Sequence, residues 1–559
     1  MVKRILSFVG REISGLHEAA YLLAGSAIAS LAFAVVRDRL LAHALGASTT
    51  LDLYYAAFRV PDFIYVVVAS LVSTSILVPF LVESKSKGGD DLRRSISDLF
   101  SAFSILILAS CAVAFAFMPQ ISRILFPQMV AQGMGAELVT VSRILLLSPL
   151  FLGIAGFFTS IAQIQNRFMV YAMSVPLYNI GIIIGILFFL PSWGSAGLAW
   201  GVALGAVLLC VAQAPIIIRD GLFPRLSLAI DWPRIRKVAF LSIPRTVTMS
   251  SQQLTTMAFV SFASFLGVGS ISIFSFALNL QSVPLSIIGA SYSSAAFPVL
   301  ARIIIEQGRE AFLHKLASAF KHIIFWSIPL TVLFIVLRAQ IVRTVLGSGA
   351  FSWSDTKLTA AALALFVISS VAQSMTLLFV RAFYAEGKTS KPLILNVVSM
   401  VFSVAAAFLL IKLFLHWPIF AYFIESLLRT EGIANTSVLM LPLAFSLGAF
   451  LNLALHWHSC AREFSGFGRL LYRTIFQSVG ASVIGGYVAY ASLRLFDNVF
   501  DLSTVLGVFL QGLCAGLVGM LAMIIVLWLL KSVEMRDILV TFRHKVWKVD
   551  RASLDRLQS

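Results

Sequence analysis

The sequence predicts an all-α polytopic membrane protein of about 14 transmembrane helices, built as two pseudo-repeated six-helix lobes plus two C-terminal helices. Three observations carry this reading. Of 559 residues, 59% are hydrophobic and 12% charged, with mean hydropathy +0.94, far from the balance of a soluble domain. Apolar runs long enough to cross a bilayer, about 20 residues each, recur along the whole chain and are too long and uniform for barrel strands. Patterns of the first half also return in the second: Leu45-Gly46, Pro61 and Pro79 answer to Leu266-Gly267, Pro284 and Pro298 at offsets of 221, 223 and 219. A further echo pairs QNRFMVYAMSVPLYN, Gln165 to Asn179, with RAFYAEGKTSKPLILN, Arg381 to Asn396. Chance similarity among apolar helices is the competing explanation. Repeated halves in transporters usually place the substrate path between them.

Spans are expected over 17–36, 53–82, 99–121, 138–163, 169–191, 196–218, 238–265, 271–300, 322–337, 358–380, 392–411, 436–456, 474–493 and 503–530. The first follows a short basic segment, Met1 to Arg11, and leads into further spans, so it is expected to act as its own insertion signal. After the second, SKSKGGDDLRRSISD carries a Gly88-Gly89 break and then an amphipathic run suited to the inner membrane face. RLSLAIDWPRIRK separates the sixth and seventh spans and is the expected boundary, giving an N-lobe over 1–220, a cytoplasmic linker over 221–237 and a C-lobe over 238–457. LHWPIFAYFIESLLRTEG, after the eleventh, is too polar at its end to span and rich in aromatics, as an interfacial helix on the outer face would be. The last two spans lie within 458–531, where SVGASVIGGYVAY offers small residues for close approach. The tail over 532–559, with VTFRHKVWKVDR, reads as a basic amphipathic helix on the inner surface.

Charge sets the orientation. The N-terminus, the loops after even-numbered spans and the tail hold 30 of the 42 Lys and Arg, the odd-numbered loops 9. Both termini are therefore expected in the cytoplasm, by the positive-inside rule. The same distribution explains the net charge of +17 without nucleic acid: the basic residues sit in short loops and the tail, where anionic phospholipids are the expected partners. Cys111, Cys210, Cys460 and Cys514 show no CxxC spacing and read as small hydrophobes, so neither a metal site nor a disulfide framework is expected. No HExxH, GxSxG or Walker A motif is present, and no cofactor is implied.

The candidate site residues are the ionised and amide side chains set in apolar sequence, which at bilayer depth require a partner or a wet cavity. Either Arg37, Arg39 and Arg59 form a basic wall for phosphate, which guanidinium binds bidentately, or Arg37 and Arg39 with Asp38 and Asp52 form a cluster at the outer ends of the first two spans. Arg59, followed by Pro61, is placed to contact a ligand or to pair with Asp62 or Asp52. Arg143 opens the fourth span and suits a snorkelling anchor or a functional contact. Arg245 starts the seventh span after Pro244, as an inner gate contact or a headgroup anchor. Gln252, Gln253 and Asn279 offer hydrogen bonds to a ligand or between helices.

RDRLLAHALGAS, FRVP and PFLVE, followed in order by ILFPQM, IQNRF, LGSGAFSWSD, RAFYAEGKTSKP and FLNLALHW, resemble the MurJ/MviN family of the multidrug/oligosaccharidyl-lipid/polysaccharide exporter superfamily. The resemblance covers most of the first twelve spans and implies fourteen helices. It also implies that lipid II, the undecaprenyl-pyrophosphate-linked peptidoglycan precursor, is flipped across the bacterial inner membrane by alternating access, with the last two helices holding the lipid tail. The sequence departs from the pattern at Leu31, Tyr65, Val66 and Asn279, where the family has arginines, and at Ser70, where it has glutamate. The same anionic lipid bound by Arg37, Arg39, Arg59 and Arg245 is one outcome; a less charged amphiphile or another glycolipid is the other. A non-transporting membrane scaffold is the alternative from outside transport. Membrane potential or an ion gradient is the expected energy source, with no acid on the seventh span to name the ion.

Overall fold

The computed structural model describes residues 16–71, 74–165, 167–227, 231–464 and 466–536, and no strand occurs among them. Helix satisfies each segment's backbone groups from within, which a hydrocarbon surrounding demands. Twenty helices of eight residues or more are described. In the first half these are α1 (Leu16–Leu45), α2 (Thr49–Ala57), α3 (Arg59–Leu71), α4 (Thr74–Lys87), α5 (Gly89–Leu125), α6 (Gly135–Leu145), α7 (Leu147–Ile164), α8 (Phe168–Ile184), α9 (Leu190–Arg219) and α10 (Trp232–Ala263). The rest are α11 (Ser270–Pro284), α12 (Ser291–Glu306), α13 (Gly308–Val336), α14 (Arg338–Val345), α15 (Trp353–Ala385), α16 (Ser390–His416), α17 (Pro418–Leu428), α18 (Met440–Glu463), α19 (Phe467–Phe496) and α20 (Val505–Leu529).

Among the described residues 11 segments are long and apolar enough to cross a membrane, and one of them, Ala172–Arg219, holds two spans in succession. With α1 and α10, of 30 and 32 residues, this is consistent with fourteen crossings. The Gly88 break is present, at φ 132, but the amphipathic run after it continues into the third span as one 37-residue helix, α5. The aromatic segment after the eleventh span forms α17, with Pro418 in its first turn and Arg429 ending it in the left-handed conformation. The tail beyond Arg536 lies outside the described residues.

The chain divides into two compact units: the first runs to Ser275 and takes in Val345–Asp355, and the second comprises Phe276–Thr344 and the chain from Thr356 on. The division falls within α11, not in the 221–237 connection. The cause is side-chain bonding of α10: Ser70 Oγ donates to Thr246 Oγ1 at 2.8 Å, and the Ser261 hydroxyl donates to the Leu125 carbonyl. The seventh span thus stays with the first six.

In the first unit α8 and α9 cross where glycines recur every fourth residue on both helices. A Cβ on Gly181 would lie 2.2 Å from Gly205 Cα, and one on Gly185 2.5 Å from Gly201 Cα, so only glycine permits this approach. Buried Gln213 adds a polar fastening, donating to Ser174 Oγ at 3.0 Å and accepting from Thr159 Oγ1 at 3.1 Å.

In the second unit Phe320, Phe379 and Phe467 join α13, α15 and α19, with ring centroids 4.4 to 5.8 Å apart. The small residues of SVGASVIGGYVAY seat protein neighbours: a Cβ on Gly485 would meet Met523 Cγ at 2.2 Å, and one on Gly486 would meet Val332 Cγ1 at 2.5 Å.

The second sequence echo has a physical counterpart. In the first unit Arg167, between α7 and α8, pairs with Asp220 after α9 at 3.1 Å. At the matching place in the second unit Lys388 pairs with Glu386 at 3.0 Å, and Lys388 and Lys391 both pair with Glu463 at the end of α18. In each unit the corresponding loop is tied by an ion pair to the end of a spanning helix, α9 in the first and α18 in the second.

Candidate functional site

The charged side chains read from the sequence gather mainly where α1, α2, α3 and α8 meet in the first unit. Arg37, near the end of α1, donates from Nε and Nη2 to Asp38 Oδ1 at 2.9 and 2.7 Å, and from Nη1 to Asn179 Oδ1 at 2.9 Å. Asn179 is fixed in turn by its amide, which donates to the Ser30 carbonyl at 3.3 Å and to Ser30 Oγ at 3.4 Å. One fork of the guanidinium therefore lies on a buried carboxylate and the other nitrogen on a buried amide. Arg39 is half-buried two residues on.

Arg59 opens α3 and donates from Nε to the Tyr55 carbonyl at 3.0 Å, closing the junction of α2 and α3. Asp62, one turn on, is its electrostatic partner. Tyr55 lies within electrostatic reach of Arg37, Asp38 and Arg59, so it links the two arginines. Tyr54 and Tyr178 complete the wall: both lie within electrostatic reach of Arg37 and Asp62, and Tyr178 is hydrogen-bonded to Ser148. Tyr65 faces Tyr178. Arg37 and Arg59 each carry an acid beside them, so the cluster is an arginine and phenol surface balanced by Asp38 and Asp62.

Asp52 is placed elsewhere. It is 5% exposed, and its Oδ2 accepts from the Gly269 amide at 2.7 Å while Oδ1 accepts from the Ser272 amide at 2.7 Å and the Ser272 hydroxyl at 2.6 Å. A buried carboxylate is satisfied here by the first turn of α11, where free amides and the helix dipole favour an anion. Gly269, at φ 85, makes the turn that aims its amide at this oxygen.

The remaining predicted residues are dispersed. Arg143 donates to the Phe115 carbonyl at 3.1 Å and stacks on the Phe115 ring, as an anchor does. Arg245 belongs to α10, but its side chain lies outside the described residues. On α10, Gln252 is exposed and Gln253 half-buried. Asn279 is half-buried on α11 in the second unit, and its neighbour Gln281, which the sequence reading passed over, is buried and donates to Ser370 Oγ at 2.9 Å. Asn179, Tyr54 and Tyr178 were also missed. Their signals were available: Asn179 closes the QNRF echo, and Tyr54-Tyr55 stand one turn before Arg59. A separate cavity of about 700 Å³, walled by Leu147, Phe151, Phe189, Trp193, Trp200 and Leu204, is lined by apolar side chains and suits hydrocarbon, not a headgroup.

A family model described as Lipid II flippase MurJ matches residues 41–419. The chain belongs to that family. A protein named probable lipid II flippase MurJ from Bdellovibrio bacteriovorus is 25% identical over 418 residues, covering 72% of this chain and 80% of its own. The lipid II flippase MurJ of Burkholderia cenocepacia is 24% identical over 392 residues, covering 67% and 75%. Among solved structures, a lipid II flippase MurJ in an inward closed conformation superposes with TM-score 0.71 at 22% identity, covering 93% of this chain and all of that one. An inward-facing multidrug transporter of the same superfamily gives 0.59 at 16% identity, covering 78% and 96%. These superpositions establish the MurJ fold. Against the family pattern, Tyr65 puts a phenol in the tyrosine-lined wall where an arginine is expected, and Ser70, in place of glutamate, fastens α3 to α10.

Proposed function

We propose that this multi-pass membrane protein flips lipid II from the inner to the outer leaflet of the bacterial inner membrane by alternating access, supplying peptidoglycan synthesis. The match to the MurJ family over 41–419 carries this reading. The arginine and tyrosine surface of the first unit is the proposed headgroup contact. A pyrophosphate would compete with Asp38 and Asn179 for Arg37, replacing one set of charge-assisted bonds by another. Such an exchange keeps binding reversible, which a flippase requires. Tyr54, Tyr65 and Tyr178 add neutral donors where the family has more positive charge.

The termini face the cytoplasm in this reading. The lipid tail stays in the bilayer along α19 and α20, and the basic linker and tail rest on anionic phospholipids. Transport leaves every covalent bond of the substrate intact and draws on membrane potential or an ion gradient. The two lobes are the moving parts, with the seventh span carried by the first.

The test is rescue of a MurJ-depleted bacterium by this chain, with lipid II labelled at the cell surface. Growth with surface-exposed lipid II is the expected result. Correct membrane insertion without either would refute the assignment.

A further inference from the structure

The positive-inside distribution leaves only 9 Lys and Arg in the odd-numbered loops, and three of these converge on one tyrosine of the second unit. Arg494 donates from Nη2 to the Tyr490 hydroxyl at 2.9 Å, with its Cζ 5.1 Å from the ring centroid. The Arg429 side chain lies within electrostatic reach of the same hydroxyl. Arg338, at the start of α14, lies within electrostatic reach of both Arg429 and Tyr490 and donates from Nη1 to the Ile335 carbonyl at 2.9 Å. Like charges so gathered repel, and among the described residues none of the three guanidinium groups has a carboxylate partner. Of the acids near them in sequence, Glu425 accepts from Thr436, Asp497 from Gln511 and Asp501 from Ser503, and Glu431 is exposed two residues beyond Arg429.

Two further features mark the place. Arg429 ends α17 at φ 60, ψ 44, a position where glycine is favoured and a side chain costs about 1 kcal/mol. An arginine is thus held against both its backbone and its neighbours' charge. The surfaces leading to it are apolar and exposed: Ile419, Tyr422 and Phe423 on α17, and Val483 and Tyr487 on the Tyr490 side of α19. Hydrocarbon covers such surfaces in a membrane, so an anion bound here would be the head of a lipid lying along them.

We propose that Arg338, Arg429 and Arg494, gathered round the Tyr490 hydroxyl, form a binding site for the phosphate of a membrane lipid at headgroup depth. On the orientation proposed above the site faces the outer leaflet. Three guanidinium groups provide forked donors for a phosphate or pyrophosphate, and Tyr490 holds Arg494 in place before the ligand arrives. The phosphate comes either from a resident anionic phospholipid or from the polyprenyl carrier after translocation.

The full chain, purified in detergent, is titrated by native mass spectrometry with dioleoyl phosphatidylglycerol, undecaprenyl pyrophosphate and dioleoyl phosphatidylcholine. The variant Arg429→Gly/Arg494→Gln removes two charges, and glycine suits the left-handed backbone at 429, so folding is preserved. Relative to the parent, the double variant is expected to bind one anionic lipid about tenfold more weakly, with phosphatidylcholine unchanged. A loss confined to phosphatidylglycerol assigns the site to resident phospholipid, and a loss that includes undecaprenyl pyrophosphate assigns it to the carrier. Unchanged binding of both anionic probes, or an equal loss of phosphatidylcholine, overturns the proposal. Should the double variant unfold, Arg494→Gln alone, at an exposed position, reads the same effect at about threefold. Binding is measured without transport or a sealed membrane, so this outcome is independent of the flippase and orientation readings.

Discussion

At the scale of single residues, a buried charge in this protein is defined by what it bonds to. Asp38 and Asp52 look alike in the sequence, both acids within apolar stretches, yet one grips a guanidinium and the other a helix start. Asp52→Asn keeps one acceptor oxygen but loses the anion that two amides and a hydroxyl address. It is expected to lower stability by about 1–2 kcal/mol, seen as a lower midpoint of thermal unfolding in detergent. Arg37→Ala leaves Asp38 buried beside an empty site, a loss of about 3 kcal/mol. Removing both charges in Arg37→Leu/Asp38→Leu should recover most of that stability while abolishing transport. If the double variant were as unstable as the single one, the pair would not be coupled as described. The sequence singled out Arg37, Asp38 and Arg59, which lie together in the structure, but could not tell that Asp52 would bond to a different helix. Its partners, Gly269 and Ser272, lie more than two hundred residues away, and no spacing rule connects them.

At the scale of elements, close approach and polar fastening decide which helices stay together. Gly181 and Gly205 meet backbone to backbone, so Gly205→Leu should separate α8 from α9 and sharply reduce the folded yield on gel filtration, whereas Gly156→Leu, beside open space, should not. The four-residue glycine spacing on both helices was legible in the sequence. SVGASVIGGYVAY was legible as a small-residue face, and its use for α20 and α13 was decided by packing. Glu463→Gln would detach both Lys388 and Lys391 from the end of α18, with Lys388 still paired to Glu386. An effect near 1 kcal/mol is expected, because both lysines are partly solvated, with proteolysis of the loop between α15 and α16 as the sensitive measure.

At the scale of the whole molecule, the fourteen-span reading fixes which loops share a side of the membrane. Ser86→Cys, after the second span, should be protected from a membrane-impermeant maleimide in intact cells, and Ser503→Cys, between the last two, should react. Of the native cysteines Cys111, Cys210 and Cys460 are buried, and the half-buried Cys514 is replaced by serine in both variants. The reverse pattern would invert the proposed orientation. The echo between 165–179 and 381–396 has a counterpart in chemistry: each loop is tied by ion pairs to the end of a later helix, α9 or α18, although the residues differ.

The sequence by itself determined the helical membrane class and the family, because hydropathy and ordered motifs are local properties read along the chain. Only the tertiary structure decided which acid meets which cation, that the seventh span stays with the first six, and that three arginines scattered from 338 to 494 lie within electrostatic reach of one phenol. Those outcomes depend on contacts between residues far apart in the chain, where geometry selects the partner and composition does not.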